Sequence, residues 1–339
     1  MTSQPARQRV LSGMRPTGQL HLGNYHGALR NWVALQHDYP CFFFVADWHA
    51  LTTGYDDTSQ LPAHTQAMVI DWLAAGLNPA KATLFVQSQV SEHAELHLLL
   101  SMITPLSWLE RVPTYKDQQA ALQEKDLATY GFLGYPLLQS ADILLYRAGF
   151  VPVGEDQVAH IEITREIARR FNHLFGRNAE VDILPEPQAL LTPTPKLPGV
   201  DGRKMSKSYA NTIGLRESPD SVDKKLRTMQ TDPARVRRAD AGDPAKCPVW
   251  SLHEVYSDEA TRNWAAAGCR SAGIGCLECK RPLIDKVVAE TTVMRERAAA
   301  YEQDPASVRS IIEEGNEKAR VVARETLGAV RQAMHLRGV

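Results

Sequence analysis

The sequence has no apolar run long enough to span a bilayer, and residues 1–9 lack the apolar core of a secretory leader. No stretch repeats and none is of low complexity, which removes solenoids, propellers and long disordered tails. Charge of one sign is also missing. The net charge is −1 over 339 residues, so the chain is not a basic nucleic-acid coat, and any RNA contact must come from a local patch. Cysteine is sparse, at five residues, and disulfides are not expected in the cytoplasm, the default compartment these absences leave. What remains is ordinary globular material, 44% hydrophobic and 23% charged, long enough for two domains and a sizeable core.

Along the first half, strand-like and helix-like stretches alternate. Residues 9–12 read as a short strand, followed by a glycine turn and a helix over 24–36. The run Cys41-Phe42-Phe43-Phe44-Val45-Ala46 is continuously apolar, as for a strand buried on both faces. A helix near 65–75, a strand over 83–86, an irregular stretch over 104–135, and a strand end at 151–154 feeding a helix over 155–171 follow. This order implies an α/β fold with a doubly wound parallel sheet. Residues 184–202 carry five prolines and two glycines and read as a connector. From residue 218 the pattern is mostly helical. In the last stretch Val308, Ile312, Ala319, Val322, Leu327, Val330 and Met334 fall near one face of a long helix.

Two short strings stand out. His21-Leu22-Gly23-Asn24 should open a helix, whose N-terminus offers unpaired N–H groups and a partial positive charge to a phosphate, with Gly23 allowing close approach. Lys204-Met205-Ser206-Lys207-Ser208 places two ammonium groups three residues apart in a basic loop, downstream of Gly199 and Gly202. Either alone reads as a capped helix or an exposed basic turn. Together, in this order, they resemble the two nucleotide motifs of the class I aminoacyl-tRNA synthetases. The flanking words Pro16-Thr17-Gly18, Asn24-Tyr25 and Gly154-Glu155-Asp156-Gln157 and the run over 136–146 narrow the resemblance to the tryptophan-specific family, over residues 10–334.

The resemblance implies a Rossmann-type domain over residues 1–215 that binds ATP and tryptophan. It further implies an α-helical, anticodon-side domain over 216–339 whose final helix packs back on the first. Arg15, Pro16, Thr17, Gly23, Asn24, Gly154, Glu155, Asp156, Lys204, Met205, Ser206, Lys207 and Ser208 match the family's ATP-contacting segments. His21 and Asn24 would donate to oxygens of the α-phosphate as tryptophan carboxylate attacks, and Lys204 and Lys207 would neutralise the leaving pyrophosphate. An indole has one N–H on a large apolar body, so its pocket needs one acceptor among apolar walls. Asp142 matches the family's indole acceptor. Leu11, Val151 and Val153 are the expected walls, Tyr135, His49 and Gln157 would hold the α-amino and carboxylate groups, and Gln139 stands where many bacterial relatives place Met. Mg²⁺ held by phosphates and water, tRNA(Trp) and a homodimer are implied partners; DNA and membrane are not. A tyrosine-specific relative would want a Tyr/Asp pair for a phenol, and a non-catalytic RNA-binding or iron-sensing protein would not need His21, Asn24, Lys204 and Lys207.

Four of the five cysteines, Cys247, Cys269, Cys276 and Cys279, are spaced C-x21-C-x6-C-x2-C. The chelate suits tetrahedral Zn²⁺ or an iron–sulfur cluster, and spacing alone favours zinc. Cys247-Pro248-Val249-Trp250 resembles a bacterial subset of the family that carries a [4Fe–4S] cluster, and the resemblance favours the cluster. Arg235, Arg237 and Arg238 taken alone read as a solvated face, and beside the cysteines as an anticodon-side RNA contact. Cys41 reads as a core residue.

Overall fold

The structure is a computed structural model, and it describes residues 8–113, 115, 128–177, 179–191 and 197–336, without the side chain of Asp156. A five-stranded parallel sheet forms the centre: β1 (Val10–Met14), β2 (Cys41–Val45), β3 (Ala82–Val86), β4 (Phe150–Val153) and β5 (Gln188–Leu191), in the spatial order β3-β2-β1-β4-β5. All five residues of β2 are buried, which explains its unbroken apolar run. The order reverses between β1 and β4, the switch point at which doubly wound sheets hold their ligands. There the two strands share one register pair, Val10↔Phe150, whereas β1 and β2 are paired over five positions. Beyond Phe150 the strands part, and the crevice between their carboxyl ends is where the site lies. The strand β5 departs from expectation. Its proline-rich flanks hide four residues that pair with β4 from Phe150↔Gln188 to Val153↔Leu191.

The helices are α1 (Leu22–Asn24), α2 (Arg30–Leu35), α3 (Asp47–Gly54), α4 (Leu61–Ala75), α5 (Glu92–Ser101), α6 (Leu106–Glu110), α7 (Tyr130–Leu145) and α8 (Val158–Phe175), then α9 (Pro219–Thr228), α10 (Pro248–Tyr256), α11 (Glu259–Arg270), α12 (Cys276–Gln303) and α13 (Pro305–Ala333). The single helix expected over 24–36 is interrupted. A wider turn over Tyr25–Leu29 joins α1 to α2, a form that recurs at functional sites. Among the described residues no helix is long and apolar enough to cross a membrane.

One hydrophobic cluster covers the sheet face of α4 and continues, without a break at residue 215, through Ile213, Leu215, Val222, Leu226, Val249, Leu283, Val287 and Met294. A second fills the opposite face, from Leu11, Phe42 and Phe44 to Ala319, Ala323, Leu327 and Val330 of α13. Helix α13 lies against β3 and α5. Its approach is so close that a Cβ on Gly315 would sit 1.7 Å from the Leu84 carbonyl oxygen, and Asn316 Oδ1 accepts the Val86 N–H at 3.0 Å. The β3 edge of the sheet is thus covered, and its Val86 N–H is satisfied.

Candidate active site

The turn after β1 and the segment after the basic loop are built as one unit. Leu22 N–H donates to Ile213 O and Leu215 N–H to Leu20 O, both at 3.0 Å, in a short antiparallel ladder around His21 and Gly214. The buried Asp71 of α4 accepts the Leu20 N–H at 2.8 Å and lies 2.7 Å from Arg216 Nε, which also pairs with Glu302. The ladder carries the basic loop over the turn. Met205 is buried against Gly23, and Lys207 Nζ donates to Thr17 O at 2.8 Å across 190 residues of sequence. Lys204 and Ser208 are exposed, so the structure brings Lys207, and not Lys204, to the turn.

Asn24 Oδ1 accepts the His21 N–H at 3.1 Å, which leaves the amide's NH₂ end to donate. Burial, with the Lys207 charge added, lowers His21 to about 4, so its imidazole is neutral near neutral pH. Burial also lowers Lys207 to about 8, against the opposing charge of Asp71. A cavity of about 480 Å³ opens here, with Gln19, His21, Lys207, Gly214 and Lys225 in its wall. Gly154 and Glu155 stand on the other lip of the crevice, at the end of β4, and the Asp156 side chain lies outside the described residues. Behind the turn, His26 Nε2 lies 2.8 Å from Tyr256 OH and 3.1 Å from Glu290 Oε2, which ties the turn to α10 and α12.

At the switch point a cavity of about 250 Å³ gathers Arg15, His49, Tyr135, Gln139, Asp142 and Gln157. Six expected residues from four regions of the sequence therefore share one space. Leu11, Val151 and Val153 do not line it; they are packed into the second hydrophobic cluster. The apolar wall comes instead from Phe44, whose ring lies over Gly13, and from Ala46. Gly13, on the same face of β1 as Leu11 but nearer the strand's carboxyl end, does line the cavity, so the expected walls sit deeper in the sheet than the crevice reaches.

Asp142 is completely buried and its carboxylate is held by three side chains. His49 Nε2 reaches Oδ2 at 2.8 Å, His93 Nδ1 reaches Oδ1 at 2.7 Å, and Gln87 Nε2 donates to Oδ1 at 2.8 Å and Oδ2 at 3.0 Å. Burial alone would push this carboxyl up, but the hydrogen bonds from His49 and His93 outweigh it and hold Asp142 down at about 2. His49 thus holds the Asp142 carboxylate while still facing the cavity. Sequence reasoning missed Gln87, His93 and Phe44. The signal available for Gln87 was its position immediately after β3, at a strand's carboxyl end.

The four cysteines meet around the N-termini of α10 and α12 and the last turn of α11, all half-buried. Burial and the charges of Cys247, Cys269 and Cys276 raise the Cys279 thiol to about 12, and His253 Nε2 lies 3.3 Å from its Sγ. The thiols share a neighbourhood without closing a metal site: among the described residues no group of three or more His, Cys, Asp or Glu stands ready to hold a metal ion. Arg235 is buried, and its guanidinium donates to the carbonyls of Arg238 and Ile274, so it braces the cysteine loops and is not offered to RNA. Arg237 is exposed, and Arg238 is exposed beside Glu278.

The family model for class I tRNA synthetases (W and Y) matches residues 4–290. The tryptophan–tRNA ligase of Ralstonia nicotianae is 56% identical to this chain, over 97% of the chain and 98% of the relative. That of Thermotoga maritima is 53% identical over 97% and 99%. Among solved structures, the tryptophanyl-tRNA synthetase of Campylobacter jejuni complexed with ADP and tryptophan gives a TM-score of 0.84 at 33% identity, over 96% of this chain and 99% of that one.

Proposed function

The chain belongs to the class I tRNA synthetases of the W and Y family and ligates L-tryptophan to its cognate tRNA, and from that premise we propose a task for each of its site residues. The reaction has two steps: tryptophan carboxylate attacks the α-phosphorus of ATP, with Mg²⁺, to give tryptophanyl-adenylate and pyrophosphate, and the 3′-terminal ribose of tRNA(Trp) then takes the aminoacyl group. No enzyme nucleophile is needed, so rate comes from positioning and charge.

His21, neutral at working pH, and the NH₂ end of Asn24 donate to the α-phosphate oxygens that gain charge during attack. Lys207, already on the turn, meets the leaving pyrophosphate first; Lys204, exposed, joins it as the loop closes over bound nucleotide. The backbones of Arg15, Pro16, Thr17, Gly23, Gly154, Glu155 and Asp156 cradle the rest of ATP, with Met205 anchoring the loop and Ser206 and Ser208 adding donors. Asp142 accepts the indole N–H, Phe44 and the stem of Gln139 contact the ring, and Tyr135 and Gln157 hold the α-amino group. The observation that carries this reading is the bond from Lys207 to Thr17, which joins the two nucleotide motifs.

Arg237 and Arg238 contact the anticodon side of the tRNA, the work proceeds in the cytoplasm, and two copies form a homodimer. Cys247, Cys269, Cys276 and Cys279 hold a [4Fe–4S] cluster, with structural Zn²⁺ as the alternative. Support for a metal is the donor chemistry, four thiols converging on one place beside the turns that Arg235 braces. The group would fix those turns structurally, and no step of the reaction passes through it.

Tryptophan-dependent exchange of pyrophosphate into ATP tests the division of labour. His21→Ala and Asn24→Ala should each lower the rate by about 10²–10³, the usual loss for one donor to a charged transition state. Exchange unaffected by both would remove the turn from catalysis.

A further inference from the structure

Behind Asp142, away from the cavity, runs a buried chain of polar side chains. Tyr146 OH lies 2.7 Å from His93 Nε2, and His93 Nδ1 lies 2.7 Å from Asp142 Oδ1. Tyr146, His93 and Gln87 are all 0% exposed, and the rings of Phe42, Phe44 and Phe85 enclose the first two. None of the three lines the cavity, whereas Asp142 and His49 do.

An ionised carboxylate only accepts, so His93 Nδ1 carries the proton that donates to Oδ1. With His93 as that singly protonated tautomer, Nε2 accepts and Tyr146 supplies the O–H. Burial raises Tyr146 well above the ordinary phenol range, so that proton stays in place. The buried donors thereby occupy Oδ1 from His93 and bridge both oxygens from Gln87. His49, on Oδ2, is the one donor of the three that faces the cavity, and an incoming ring N–H must take its place or share its oxygen.

We propose that Tyr146 and His93, with Gln87, are positioning residues that set amino-acid specificity: they fix the rotation of the Asp142 carboxylate so that Oδ2 presents an empty acceptor to the cavity only when His49 yields. A pocket so held demands a ring N–H from its ligand, since a substrate without one leaves a buried acceptor unmatched. This rests on the reading of Asp142 as the indole acceptor.

The test compares L-tryptophan with its benzothienyl analogue, in which sulfur replaces the ring N–H, in pyrophosphate exchange by the full-length protein. Tyr146→Phe removes one oxygen and keeps the shape, leaving Nε2 without a donor. It should raise the KM for tryptophan about tenfold and lower the preference for tryptophan over the analogue by a similar factor, the consequence of one unpaired buried polar atom. The KM for ATP should stay put, and the unfolding temperature should fall by no more than a few degrees. His93→Gln should act in the same direction, and if it fails to fold, Tyr146→Phe decides alone. Equal loss on both amino acids, or no loss, would reduce the chain to packing and overturn the proposal. Asp142→Ala, which removes the acceptor, separates the two ideas: if it abolishes the preference while Tyr146→Phe does not, only the positioning chain fails. A preference that survives Asp142→Ala would overturn the reading of Asp142 itself.

Discussion

Raising the pH should silence Lys207 before any other group at the nucleotide site. Its ammonium sits half-buried on the Thr17 carbonyl, and burial lowers it to about 8, more than two units below an ordinary lysine. The protein without nucleotide therefore loses this cation as pH rises through 8, and about one molecule in ten keeps it near pH 9. The ratio kcat/KM for ATP reports the free enzyme, so in tryptophan-dependent exchange at limiting ATP it should fall about tenfold between pH 7.5 and 9, with unit slope. Lys207→Arg keeps its charge at every pH in that range, so its profile should be flat even if its absolute rate is lower. Lys207→Met should be flat as well, at about 10²–10³ below the native rate at pH 7, since a donor to the leaving group is gone. His21, at about 4, contributes no acid limb in this window. A native profile that stays level to about pH 9.5, or an alkaline fall that persists in Lys207→Arg, would refute the assignment of Lys207 to the phosphates.

Three further outcomes follow from the geometry. Gly315→Ala gains about 1 kcal/mol of helix propensity. It costs about 1–3 kcal/mol of overpacking against Leu84 and about 1–3 kcal/mol for the Val86 N–H that Asn316 would release; urea unfolding should show a net loss of about 1–5 kcal/mol, and an equally stable variant would mean α13 can retreat freely. Protein purified without oxygen should contain about four irons and four sulfides per chain. Stoichiometric zinc would select the alternative, and neither metal would remove the cysteines from any metal role. Arg237→Glu with Arg238→Glu should raise the KM for tRNA about tenfold or more and steepen no step before it, because phosphate contacts act on binding; unchanged aminoacylation would place the RNA elsewhere.

What could be read from the sequence was what is local. The strings at 21–24 and 204–208 carry their chemistry in adjacent residues, and β2 announces itself by five apolar positions in a row. The doubly wound parallel sheet followed from alternation, but β5 did not, because four residues between prolines look like connector until β4 is there to pair with them. Pocket walls were misplaced for the same kind of reason. Whether Val151 lines the crevice depends on how deep it reaches between β4 and β1, a property of two strands 140 residues apart. The partners of Asp142 lie 49, 55 and 93 residues before it, and no spacing rule links them. Arg235 looked like its neighbours Arg237 and Arg238, and only the carbonyls converging on it reveal a brace.

The cover on the outer strand has a consequence for how the protein is made. The Asn316 that completes β3 follows Val86 by 230 residues. At about 5–20 residues per second, a ribosome exposes that strand edge for on the order of ten to fifty seconds before its cover exists. During that interval the nascent sheet offers an open, apolar edge to any neighbouring chain. The residue immediately after the strand is Gln87, a holder of Asp142. The docking of α13 thus closes the β3 edge immediately beside Gln87, so covering the sheet and steadying a holder of Asp142 happen in a single event.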